Sequence, residues 1–206
     1  MQKQKSEDST PTGLKIDSSF SENTKITYAY HQKLSIRIAM ISIFAALAIG
    51  SSYALAPLIN IELMSVLLFI AGFLYGKYVG TLVGLISSLI YYGWNPFGIP
   101  PLPLYMVCVA LMSFIGLIGG LLKFSPKQEG KIEFTATTIG KFALIGFFYT
   151  VLFDILTNIV YAYFYYNGNI MLAFITGLPF MIIHLISNTV IFSLLVIPIY
   201  NSVTSI

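Results

Sequence analysis

The chain changes character at about residue 38. Up to that point polar and charged side chains mix without an apolar period; beyond it, long apolar runs follow one another and are broken only by short turns. About 20 consecutive apolar residues cross the hydrocarbon core of a bilayer as a helix. The runs 38–58, 61–76, 79–94, 102–122, 142–165 and 177–199 therefore predict six transmembrane helices. The second and third runs are short and are expected to take in flanking residues or to tilt. The extra stretch Ile170–Ile175 is too short to span, and reads as part of the loop before the last helix or as an interfacial segment. Residues 1–35 read as a disordered polar tail, and not as a secretory signal, because no short apolar core with a cleavage site follows the basic start. The expected organisation is that tail followed by a six-helix membrane domain over residues 36–200.

Composition strengthens this reading. Hydrophobic residues make up 57% of the 206 and charged residues 9%, against about 25% charged in an ordinary soluble domain. So few charges cannot solvate the surface of a globule, which argues against a soluble enzyme, a nucleic-acid binder or a wholly disordered chain. Cys108 is the one cysteine, so neither an intramolecular disulfide nor a cysteine metal cluster is available.

Charge placement sets the orientation. Lysine and arginine concentrate in cytoplasmic loops of membrane proteins. With the N-terminus inside, all eleven basic residues fall in 1–37, at the turn near 77, or in the loop 123–141. The opposite connections, near 59–61, 95–101 and 166–176, contain none. The expected fold is an all-α integral membrane protein with both termini cytoplasmic, multi-pass in the plasma membrane. Aromatic rings crowd the outer ends: Tyr53, Tyr91, Tyr92, Trp94, Phe97, Tyr161 and Tyr163–Tyr166. They suit a headgroup-level belt, or, where some turn inward, stacking on a flat ligand.

Charges within membrane helices are costly and tend to be functional. Asp154 lies near the middle of the fifth helix. Glu62 lies at the outer start of the second, where it could simply favour a helix N-terminus. Asp154 and Asn158 are four residues apart and share a face, flanked by Thr157 and Tyr161. His184 and Asn188 repeat that spacing on the sixth helix, beside Ser187. Antiparallel neighbours can bring the two stripes together, either as a packing network or as the floor of a polar pocket open to the outside. Catalysis is not expected. Asp154 and His184 could make an acid–base pair, but no nucleophile motif accompanies them, and two histidines are too few for a typical zinc site.

Small residues recur at four-residue spacing in Ser42-xxx-Ala46-xxx-Gly50, Gly72-xxx-Gly76, Gly80-xxx-Gly84 and Gly116-xxx-Gly120, which lets helices approach closely. The Gly-Lys pairs at 76, 130 and 140 are followed by Tyr78, Ile132 and Phe142, so no phosphate-binding P-loop is present. Nor is an inverted repeat evident. If the protein pumps, another subunit supplies the work.

The order and spacing of several stretches resemble a known family. These are RIAMISIFAALAIG (37–50), NIELMSVLLFIAGFLYGKYVGTLVGLISSLIY (60–91), NPFGIPPLP (95–103), and the pair FDILTN (153–158) and GLPFMIIHLISN (177–188). The chain resembles the substrate-binding S component of energy-coupling factor (ECF) transporters. That resemblance implies six helices with cytoplasmic termini and capture of a vitamin-like molecule from the outside. It also implies a separate transmembrane coupling subunit and two cytoplasmic ATPases as partners, with no cofactor. An Ala-xxx-Ala contact of the family's first helix maps onto Ser42, Ala46 and Gly50, with serine at the first position departing from the pattern. The implied pocket residues are Trp94, Asn95, Asp154, Asn158, Tyr161, His184 and Asn188. In this reading Trp94 and Tyr161 stack on a ring, and the loop 95–103 acts as a lid. The alternative is a stand-alone secondary transporter or channel with Asp154 as its proton or cation site. The residues do not name the ligand; the absence of basic outer residues disfavours an anion.

Overall fold

A computed structural model describes residues 18–122 and 131–205. Residues 1–17 of the tail and residues 123–130 of the basic loop, with Lys123 and Lys127, lie outside them. Among the described residues the chain is entirely helical: α1 (Ser18–Leu55), α2 (Met64–Tyr75), α3 (Lys77–Gly93), α4 (Leu102–Leu121), α5 (Ala136–Tyr165) and α6 (Ile170–Thr204). Helix α1 starts inside the segment read as a tail. The chain divides at residue 36 into two units, residues 1–36 and 37–206.

Among the described residues, four helical stretches are long and apolar enough to cross a membrane: Lys33–Leu55, Leu102–Leu121, Ala136–Tyr165 and Ile170–Thr204. The 12-residue α2 is about 18 Å long at 1.5 Å per residue, well short of a hydrocarbon core of about 30 Å. Its sequence, MSVLLFIAGFLY, is apolar all round, which is the signature of a helix enclosed on every side. The structure encloses it accordingly: Val66, Leu68, Phe69, Ile70 and Ala71 are fully buried. Helix α2 packs on α3, α4 and α6, while α3 pairs with α4 and α5 with α6. An aromatic cluster ties α2 to the α5–α6 pair at the end away from the 166–169 connection. Phe69 lies 5.5 Å from Phe192 and 6.1 Å from Phe142, and Phe73 lies 5.2 Å from Tyr200, centroid to centroid.

Glycine makes two parts of this packing possible. Gly76 alone separates α2 from α3, at φ +96°, a conformation an L side chain rarely adopts. Gly80 of α3 lies against Gly116 of α4, and a Cβ on either would overlap the other's backbone. The stripes on α2, α3 and α4 therefore serve packing within the chain. The α1 stripe does not: Ser42, Ala46 and Gly50 are exposed, and a Cβ added at Gly50 would meet nothing within 4 Å.

The helix ends depart from the apolar runs where a polar side chain caps the chain. Thr135 accepts a hydrogen bond from the Thr138 N–H, so α5 begins at Ala136 rather than near 142. Asn169 accepts from the Leu172 N–H at 3.0 Å and starts α6 at Ile170. The expectation that Ile170–Ile175 forms a loop or a separate interfacial piece is thereby corrected; it is the first turn and a half of α6. Pro179 lies inside α6 and removes one backbone donor without ending the helix.

Candidate functional site

Three connections share one end of the bundle: 56–63 between α1 and α2, 94–101 between α3 and α4, and 166–169 between α5 and α6. None contains lysine or arginine. Below them lies a cavity of about 760 Å³, walled by the 56–62 segment, by Asn95 and Phe97, and by the facing sides of α5 and α6. Its size falls within the roughly 300–1,000 Å³ of small-molecule sites.

The polar floor is built from four elements. On α5, Asp154 is 7% exposed; on α6, His184 is 7% exposed and Asn188 fully buried. The two stripes meet: His184 Nδ1 lies 2.8 Å from Asp154 Oδ1. Phe153 packs edge-on against the imidazole at 5.8 Å and helps fix its orientation. The other ring nitrogen, Nε2, is 3.1 Å from Asn188 Nδ2 and 3.9 Å from Glu62 Oε1. Asn188 Nδ2 also donates to Thr150 Oγ1 at 3.1 Å and to Glu62 Oε1 at 3.4 Å, and its Oδ1 accepts from Ser65 Oγ at 3.4 Å. The Thr150 hydroxyl itself donates to the Gly146 carbonyl. Thr150 can therefore only accept from Asn188, which fixes the amide's orientation.

The 56–63 segment is fastened over this floor. Asn60 sits at φ +58°, a left-handed position that asparagine tolerates better than most residues. Its Nδ2 donates to the Phe180 carbonyl at 2.7 Å, and its own carbonyl accepts from Ser187 Oγ at 2.8 Å. Glu62 then serves two purposes. Oε2 accepts from the Ser65 N–H and caps the first turn of α2, while Oε1 faces Asn188 and His184.

The residues singled out in the sequence divide into three groups. Asn95, Asp154, Asn158, Tyr161 and His184 line the cavity. Asn158 Nδ2 donates to the Asp154 carbonyl at 2.8 Å, and the Tyr161 ring stacks on Tyr165 at 4.1 Å. Asn188 lies beneath the wall and acts through His184 and Glu62. Trp94, expected to stack on a ligand, is not on the wall. It caps α3, its side chain is 74% exposed, and its carbonyl accepts from Tyr53 Oη. Sequence reasoning left Glu62 undecided and passed over Asn60. The signal was the Asn-Ile-Glu triplet, a turn former and a capping acid before an apolar run. Among the described residues no group of three or more His, Cys, Asp or Glu side chains is disposed to hold a metal ion.

The sequence pattern of one family, described as ECF transporter, substrate-specific component, matches residues 36–199. No curated protein and no solved structure matches the chain.

Proposed function

The chain belongs to the substrate-specific components of ECF transporters, and from that premise we propose that it captures a vitamin or related small molecule from outside the plasma membrane and passes it inward with separate subunits. The observation that carries this reading is the 760 Å³ cavity with Asp154 and His184 paired at its floor. A pair held 2.8 Å apart and flanked by Glu62 and Asn188 presents fixed polar groups to a ligand, while the surrounding apolar wall removes it from water.

In this proposal all six helices cross or enter the bilayer. Both termini are cytoplasmic, and the cavity end, free of basic residues, faces outward. Helices α2 and α3 joined at Gly76 act as a hairpin that does not need the full span of α5 or α6. The exposed stripe Ser42, Ala46 and Gly50 meets the transmembrane coupling subunit, because small side chains allow a close helix–helix approach. Two cytoplasmic ATPases supply the energy. Asn95, Asp154, Asn158, Tyr161 and His184 contact the captured molecule, and Asn188 positions His184.

Binding and transport can be separated in one experiment. The purified chain in nanodiscs should bind one member of a vitamin panel with submicromolar affinity. Proteoliposomes should accumulate that vitamin only when the coupling subunit, the ATPases and ATP are present. Uptake by the chain alone, without ATP, would overturn the proposal in favour of a stand-alone carrier.

A further inference from the structure

The capture reading leaves the chemistry of the captured molecule open, and the charges of the cavity narrow it. Among the described residues the wall contains two carboxylates, Asp154 and Glu62, and neither lysine nor arginine. The other ionisable group of opposite sign is His184. Whether its imidazole is neutral or protonated, two carboxylates against at most one positive charge leave the wall negative. We infer that the cavity is made for an organic cation, a flat or apolar body that delivers a positively charged nitrogen to the Asp154–His184–Glu62 floor. This rests on the capture reading and goes beyond it by naming the ligand's charge and shape.

The hydrogen-bond inventory supports the inference. Asp154 Oδ1 is taken by His184 Nδ1. Among the described residues nothing pairs with Oδ2, although the residue is only 7% exposed and faces the cavity. The free Oδ2 opens on the cavity, where a charged nitrogen would pair with it. Glu62 supplies the second charge. Its Oε2 is held by the Ser65 N–H, and its Oε1 is 3.4 Å from an amide and 3.9 Å from the imidazole, so no full cation pairs with it in the neutral-histidine state. An anionic ligand would meet two like charges, with His184, already facing both carboxylates, as the one group of opposite sign.

The rest of the wall describes the ligand's body. Phe153, Phe180, Met112 and Leu104 supply apolar surface, and Tyr91 and Tyr161 border the cavity as well. Aromatic faces attract cations as well as flat rings. A bare metal ion does not fit this arrangement. The cavity is far larger than an ion and its ligands, and no group of three or more suitable donors converges among the described residues.

The test uses the intact chain in nanodiscs at neutral pH, with thermal melting and calorimetric titration as readouts. The probes are the cations thiamine and 1-methylnicotinamide, the neutral molecules riboflavin and nicotinamide, and the anions biotin and nicotinate. The tightest binder should be a cation. Asp154→Asn should weaken it at least about tenfold, the scale of one charge-assisted hydrogen bond. Asn95→Asp provides a variant that does not disturb the floor. Its carboxylate can still accept from the Phe97 N–H, as Asn95 Oδ1 does at 2.8 Å, and the added charge should tighten cation binding. A neutral or anionic tightest binder, with no gain for cations from Asn95→Asp, overturns the charge inference and leaves the capture reading standing. No binding by any probe, in a chain that melts cooperatively, overturns both.

Discussion

Asn188→Leu is the substitution that most sharply separates a working floor from an incidental contact. Leucine keeps the branch at Cγ but is larger and carries no hydrogen-bonding atom, so the amide is lost and overpacking adds to the cost. Asn188 is fully buried and touches four polar partners on three other elements and its own helix: Ser65 Oγ, Thr150 Oγ1, Glu62 Oε1 and His184 Nε2. Hydrogen bonds inside membrane proteins average about 0.6 kcal/mol each by double-mutant cycles. Losing the set, with Glu62 and His184 left short of a partner, should destabilise the fold by roughly 2–3 kcal/mol. For a chain of this size that lowers Tm by roughly 4–12 °C. The assay is thermal unfolding in nanodiscs, paired with titration of the bound vitamin. Affinity should fall too, because His184 and Glu62 lose the group that orients them. A Tm within about 1 °C of the parent, with affinity unchanged, would refute the role given to Asn188.

Other substitutions probe other parts of the account. Gly116→Ala places a methyl group on the Gly80 backbone and should cost at least about 1–3 kcal/mol, read as a lowered Tm; a neutral result would show that α3 and α4 are not in the close contact described. Ala46→Trp puts a large ring on the exposed α1 stripe and should reduce ATP-driven uptake at least about tenfold by blocking close approach. Vitamin titration of the lone variant would show that it is folded, and undiminished uptake would remove that stripe from the coupling interface. Cys108, the one cysteine, lines the cavity. The bound vitamin should therefore slow its modification by methyl methanethiosulfonate, and equal rates with and without vitamin would place the ligand elsewhere.

Helix number and the polar stripes of α5 and α6 could be read from the sequence because both depend on local patterns. Long apolar runs mark helices in any environment, and the i, i+4 pairs Asp154/Asn158 and His184/Asn188 share faces whatever surrounds them. What could not be read this way depends on caps and on distant contacts. Hydropathy starts the sixth run at Gly177, but the cap at Asn169 carries α6 back to Ile170. The family resemblance implies Trp94 as a ring platform, but Trp94 caps α3 with its side chain 74% exposed and off the cavity wall, while Asn95 is on it. Glu62 joins the floor only because Asn60 fastens its loop to α6, with partners 120 and 127 residues away.

The central claim is that a small molecule enters between α5, α6 and the 56–63 segment and comes to rest on the Asp154–His184 pair. An experimental structure of the chain with its vitamin bound tests this most directly. The account predicts ligand density in that cavity, with a polar atom within about 3.5 Å of Asp154 or His184. Density at another site, or Asp154 and His184 turned toward the acyl chains, would contradict it.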